Sequence, residues 1–295
     1  MASKIHGVLT ALITPFKDGA IDKKSFQKLI RRQLDEGVQG FVINGTTAES
    51  PTLTLKEARE LFEIAKTEVG GKVPLVVGSG TNSTATTCEL SREISQWKPD
   101  AVLVVVPYYN KPSQRGLSAH FREVARAATV PVLLYDVPSR TVAALAPETV
   151  ADLSREKNII GIKDATGEMS KLAKIREQAE DDFIYLSGDD ATCVDYFIGG
   201  GSGVISVSSH IIAREMREAF VTAGKDPKAA SAVYKAKYFE LMKWLFIEAN
   251  PVPVKMALHW MGVIDSPEMR LPLVPLDEKF HKDFKACLKA LGKLN

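Results

Sequence analysis

Cysteine is scarce in this chain. Its 295 residues hold three, Cys88, Cys193 and Cys287, too far apart and odd in number for a disulfide framework or a Cys-x-x-Cys metal site. Reduced, buried thiols are expected. An excess of charge of one sign is lacking as well. With 38 basic residues against 36 acidic, the formal net charge is +2, which gives no basic footprint for nucleic acid and no draw to an anionic membrane, so small acids outrank polyanions as expected ligands. No apolar stretch approaches the roughly 20 residues of a membrane helix. The first apolar run, Gly7 to Ile13, is short, breaks at Pro15 and lacks a small-residue cleavage pattern. It is expected to be a first strand and not a leader, and the protein to be cytoplasmic. The five histidines are scattered, and none pairs with a Ser or Cys in a nucleophile setting, which leaves triad hydrolysis without support.

What is present is a large core. Hydrophobic residues make up 45% of the chain, enough for an ordinary globular enzyme. Eight short runs rich in Val, Ile and Leu recur with charged, amphipathic segments between them: Val8 to Ile13, Gly40 to Asn44, Val73 to Val77, Ala101 to Val106, Pro131 to Tyr135, Asn158 to Lys163, Phe183 to Leu186 and Gly203 to Val207. That alternation predicts parallel strands buried by crossover helices. Between the first two runs, Phe26, Leu29, Ile30 and Leu34 fall at helical spacing, which predicts an amphipathic helix with these residues inward. Periodicity alone does not separate a closed barrel from an open sheet, but the count and the length favour a (β/α)8 barrel. After residue 224 the strand signals stop. Residues 1–224 are expected to be the barrel carrying the active site, and residues 225–295 a helical extension interrupted at Asn250-Pro251 and Pro272 to Pro275.

In such barrels the loops leaving the strands build the site. Here they read Gly45 to Ser50, Gly78 to Asn82, Pro107 to Asn110, Tyr135 to Thr141, Lys163 to Gly167 and Ser187 to Asp190. Lys163 closes the run Ile159 to Ile162. A lysine there is costly unless it is paired, with Asp164 the nearest candidate, and a desolvated amine can act as a nucleophile toward a ketone. Tyr135 ends the preceding strand and should lie beside Lys163, within reach for proton transfer. Thr46 and Tyr109 would extend a hydroxyl chain, and Arg140 offers a planar fork suited to a carboxylate. Two tempting signals fail. Gly199 to Gly203 enters a strand instead of leaving one, so it is a helix-to-strand turn and no phosphate cradle. Asp189-Asp190 has no further ligand at metal spacing and reads better as a helix N-cap.

These loops resemble those of the dihydrodipicolinate synthase and N-acetylneuraminate lyase family over essentially the whole chain. The resemblance is carried by Gly45 to Ser50, Pro107 to Pro112, Tyr135 to Thr141, Gly161 to Lys163, Leu186 to Asp190 and Asn250 to Lys255. It implies condensation of pyruvate with L-aspartate 4-semialdehyde, the first committed step toward diaminopimelate and lysine. Lys163 would form the imine, and Tyr135, Thr46 and Tyr109 the proton relay, with Tyr109 reaching a neighbouring subunit's site. Thr46 and Thr47 would hold the pyruvate carboxylate, Arg140 that of the semialdehyde, and the Ile205 carbonyl would orient the Lys163 region. No metal or organic cofactor is implied, and a homotetramer built as a dimer of dimers is. Most relatives have Gly where this chain has Ala48. If that position needs a positive φ, the cost is about 1 kcal/mol. Of the family's inhibitory lysine site this chain keeps Ser50, Asn82 and Tyr108 but has Leu55, Ala58 and Thr86 at places that can carry two histidines and a glutamate, so the site is expected to be degenerate. A sister aldolase acting on a sialic acid or a 2-keto-3-deoxy sugar acid would use the same lysine, and a barrel kept only for binding is the competing class.

Overall fold

The computed structural model describes residues 5–294. Eight parallel strands close a barrel in chain order: β1 Gly7–Ala11, β2 Gly40–Ile43, β3 Leu75–Gly78, β4 Ala101–Val105, β5 Val132–Asp136, β6 Ile159–Asp164, β7 Ile184–Ser187 and β8 Gly203–Ser206. All eight expected runs are strands, with ends shifted by a few residues. The helices are α1 Lys23–Asp35, α2 Leu55–Val69, α3 Thr84–Gln96, α4 Gln114–Ala127, α5 Pro138–Thr141, α6 Pro147–Leu153, α7 Met169–Arg176, α8 Cys193–Ile198, α9 Ser209–Ala223, α10 Pro227–Leu245, α11 Val252–Trp260 and α12 His281–Ala290. A hairpin of two-residue strands, Phe16–Lys17 and Ala20–Ile21, has no counterpart in the expected elements. Among the described residues no helix is long and apolar enough to cross a membrane. The chain divides into two compact units, Met1–Gly7 with Pro74–Ile205, and Val8–Val73 with Ser206–Asn295.

In the unit containing Pro74–Ile205 the decisive feature is register. Val132 pairs with Ile159, but Leu133 pairs with Gly161, so the ladder skips Ile160. This bulge moves everything after it by one residue and places Lys163, not Ile162, opposite Tyr135. Because strand side chains alternate, a slip of one residue would turn the lysine to the other face. Gly161 follows the skipped residue, and a Cβ there would lie 2.5 Å from the Ile184 carbonyl oxygen. The glycine-rich segment Gly199 to Gly203 joins α8 to β8, as expected. Asp189 caps a turn and not the helix: its carboxylate accepts from the N–H and hydroxyl of Thr192, and α8 starts one residue later.

In the other unit α1 is capped by Asp22, which accepts from the Ser25 N–H. Phe26, Leu29 and Ile30 are buried as expected, but Gln33 is buried while Leu34 is only half-buried. The glutamine is tolerated because it is satisfied. It accepts from the Thr10 hydroxyl and donates to the His210 carbonyl. The C-terminal helices have an aromatic core of their own, with Trp244 stacked on Phe284 and Trp260 edge-on to the same ring.

His210 is fully buried here. Its Nε2 accepts from the Ile13 N–H, which assigns the proton to Nδ1, the donor to the Val207 carbonyl. Burial pushes its pKa down to about 4. Between the ordinary value and about 4 the unfolded chain binds a proton that the folded one refuses, so this residue's contribution to stability is lost as pH falls through that window. His210→Gln is therefore expected to be less stable than the parent near pH ~7.5, with a gap that narrows by about 2 kcal/mol near pH ~5. Denaturant titrations at the two pH values check this, and a gap that stays constant would contradict it.

Candidate active site

Three lysines are buried among the described residues, Lys163, Lys171 and Lys255. Two of them have acids. Lys171 is ion-paired with Asp136 and Lys255 with Glu49. The side chain of Lys163, a residue 7% exposed, has no hydrogen bond and no ion pair among the described residues. Its Nζ lies 4.2 Å from the centroid of the Tyr135 ring, an attraction of about 1 to 2 kcal/mol that only partly offsets the several kcal/mol of desolvating an ammonium. The partnership with Asp164 that the sequence allowed is absent: one oxygen of that carboxylate accepts from Thr166, and the other is buried with no hydrogen bond. A buried amine that no hydrogen bond or ion pair engages is free to be used as a nucleophile.

Space for this lysine is made by a residue that sequence reasoning missed. Gly188 follows β7, and a Cβ there would come 2.9 Å from the Lys163 Cε and 2.7 Å from the Ala165 Cβ. A glycine directly after the strand next to the lysine strand was the available signal. Tyr135 is buried, and no hydrogen bond of its hydroxyl is formed among the described residues. Behind these two residues, Asp136 pairs in register with Asp164. Burial pushes the Asp136 carboxyl up, against the pull of Lys171.

Arg140 is exposed on α5, in the turn after β5. Tyr109 is 87% exposed, at φ +75°, and the Asn110 N–H donates across it to the Tyr108 carbonyl. This is a γ-turn of the strained, positive-φ kind, and the Asn110 side chain ties it to the Asn82 carbonyl. Within this unit the structure thus brings Lys163 and Tyr135 into contact and leaves Tyr109 facing outward. Ile205 is buried in β8. Asn82 is half-buried, and Thr86 and Tyr108 are exposed.

In the other unit Thr46, Thr47 and Ala48 form one 3-10 turn after β2. The residues with positive φ are Asn44 and Glu49, not Ala48, so the alanine carries no left-handed strain and the expected penalty does not arise. Thr47 is buried and its Oγ1 accepts from the Asn250 Nδ2 at 2.9 Å. Glu49 accepts from the Lys255 Nζ at 2.5 Å and from the Arg270 N–H. Burial pushes the Lys255 pKa down to about 8, with Glu49 opposing. Arg270 also holds Glu57, whose carboxyl falls to about 2 mainly through that bond. Of the expected regulatory positions here, Ser50 is half-buried, Leu55 is exposed at the start of α2, and Ala58 is buried.

The model of the dihydrodipicolinate synthetase family matches residues 4–291. The chain belongs to this family. A family relative from Bdellovibrio bacteriovorus, named 4-hydroxy-tetrahydrodipicolinate synthase, is 48% identical over 290 residues, 98% of each chain. Among solved structures, the first monomeric dihydrodipicolinate synthase variant superposes with a TM-score of 0.95 at 40% identity, covering 99% of this chain and 98% of that one. A chloride-inhibited dihydrodipicolinate synthase from Acinetobacter baumannii, complexed with pyruvate, gives 0.94 at 37% identity, covering 98% and 100%.

Proposed function

We propose that this protein condenses pyruvate with L-aspartate 4-semialdehyde to 4-hydroxy-tetrahydrodipicolinate, in lysine and diaminopimelate biosynthesis. The observation that carries the reading is Lys163, the buried lysine with no acid, lying over the Tyr135 ring. Its amine adds to the ketone carbon, and loss of water gives an imine. The protonated imine nitrogen draws electrons from the C3–H bond, a C3 proton leaves, and the resulting enamine carbon bonds to the aldehyde carbon, whose oxygen takes up a proton. The semialdehyde's own amine then adds to the imine carbon and displaces the Lys163 nitrogen, closing the ring and freeing the enzyme. Hydroxyls serve the proton transfers, Tyr135 from beside the amine, with Thr46 and a Tyr109 from a second copy completing the relay. Thr46 and Thr47 take the pyruvate carboxylate, Arg140 the semialdehyde's, and the Ile205 carbonyl orients the lysine region. The outward, strained Tyr109 supports an assembly in which it reaches another copy, and a homotetramer is part of the proposal. So are a cytoplasmic location and the division into a barrel, residues 1–224, and an extension, residues 225–295.

The test is product formation from the two substrates with purified protein. Rapid release of pyruvate from sialic or 2-keto-3-deoxy sugar acids, with no consumption of pyruvate and semialdehyde, would assign the chain to the sister activity. Arg140→Lys keeps the charge and loses the planar fork. It is expected to raise the KM for semialdehyde about tenfold or more while imine formation with pyruvate is retained. Equal loss of both steps would make Arg140 structural.

Regulation by lysine is expected to be absent. The set Ser50, Asn82 and Tyr108 is kept, but Leu55 and Ala58 bring no polar group and Thr86 no carboxylate, so a bound lysine would leave an ammonium uncompensated, a loss of about 2 to 5 kcal/mol for a buried pair. An initial-rate titration with L-lysine is expected to show no half-inhibition below about 1 mM, where binding would reach roughly −4 kcal/mol. Half-inhibition below that concentration would show the site to be intact.

A further inference from the structure

The sequence between Asn250 and Lys255 lies about 200 residues from the Thr46 turn, yet it supplies partners to two side chains there: Asn250 bonds Thr47 and Lys255 bonds Glu49. We propose that Asn250 and Lys255 are positioning residues of the reaction, Asn250 orienting the Thr47 hydroxyl toward the carboxylate of the 2-keto acid and Lys255 holding Glu49 so that the turn keeps its shape. The inference rests on the reading that Thr47 binds that carboxylate.

A threonine hydroxyl has one hydrogen to give and two lone pairs. Because the Thr47 Oγ1 accepts from the Asn250 amide, its own hydrogen is directed elsewhere, and the hydroxyl is preset as a donor. A donor fixed before the anion arrives loses no rotor freedom on binding and makes a charge-assisted bond. Glu49 is the residue directly after the turn. It is buried at φ +58°, a conformation that a non-glycine residue keeps only where its surroundings fix it. Both of its carboxylate oxygens are tied, Oε1 to the Lys255 Nζ and Oε2 to the Arg270 N–H. Lys255 is itself fixed, since its Nζ also donates to the Glu268 carbonyl and lies 4.3 Å from the Phe16 ring centroid. The cation of Arg270 is 4.3 Å from the centroid of the same ring. The left-handed residue that ends the turn is therefore over-determined by groups that touch no reacting atom.

The experiment compares borohydride trapping of pyruvate and of methyl pyruvate on the full-length parent and its variants. Both ketones can form the imine, but only pyruvate brings a carboxylate. Asn250→Ala is expected to raise the half-saturating pyruvate concentration about tenfold and to leave that of methyl pyruvate unchanged. Lys255→Met leaves a buried carboxylate unpaired and can fail to fold, so the double variant Glu49→Gln with Lys255→Met is used beside it, with the same selective loss expected. Lys255→Arg, which restores the charge, is expected to recover part of the pyruvate affinity. Titrations indistinguishable from the parent would overturn the inference. So would equal weakening toward both ketones, which marks a general loosening around Lys163. A parent that traps neither ketone overturns the functional reading and this inference with it.

Discussion

Lys163→Ala is expected to lower turnover on the order of 10³-fold or more and to leave no trappable imine. The other two buried lysines cannot substitute. Lys171 and Lys255 are each held by a carboxylate. The same substitution is expected to leave the melting temperature at or above the parent's. It removes an ammonium that is buried without an acid, so the desolvation cost disappears along with a cation–π contact of about 1 to 2 kcal/mol. Lys171→Ala should behave in the opposite way, costing about 3 to 5 kcal/mol by leaving Asp136 buried and unpaired. Stability that is given up for function is what a catalytic amine predicts. Steady-state rates and thermal melts of the two variants check both halves. A Lys163→Ala protein that melts well below the parent would show the lysine to be structural, and one with near-normal turnover would remove it from the mechanism.

Tyr135→Phe is expected to lower kcat about 10²-fold, the scale of general acid–base catalysis. Phenylalanine keeps the ring over which Lys163 lies and takes away the hydroxyl alone. Because that hydroxyl has no hydrogen bond among the described residues, its loss strands no partner. The folded structure should be unchanged. Pyruvate should still reach Lys163, more slowly, since imine formation also needs protons moved. An unchanged kcat would leave the relay without its central member.

The strands were legible because a barrel strand is covered on both sides and reads as a continuous apolar run. The loops after them were legible as chemistry because their polar groups follow each run directly. What hid from the sequence was tertiary. Nothing in Ile159-Ile160-Gly161-Ile162 marks Ile160 as the skipped residue, yet that skip aims Lys163 at Tyr135. The part played by Gly188, whose missing side chain is the room for the Lys163 Cε, needs the neighbouring strand in place to be seen. Lys255 and Glu49 stand inside the family's motifs, but a pairing across 206 residues leaves no local trace. The concern over Ala48 failed because the left-handed residues of that loop are its neighbours Asn44 and Glu49, and a positive φ at a non-glycine residue is not announced by composition. Leu34 was expected inward where Gln33 is buried instead, for a similar reason. Burial of a polar side chain depends on partners, here Thr10 and the His210 carbonyl, that periodicity does not see.

The assignment of Lys163 as the amine that binds the ketone can be checked on the protein itself. Borohydride reduction of the folded protein in the presence of pyruvate, followed by intact and peptide mass spectrometry, tests it directly. One carboxyethyl group per chain is expected, on Lys163, and none when pyruvate is left out. An unmodified Lys163, or a modification that falls instead on Lys171, Lys255 or a surface lysine, would contradict it.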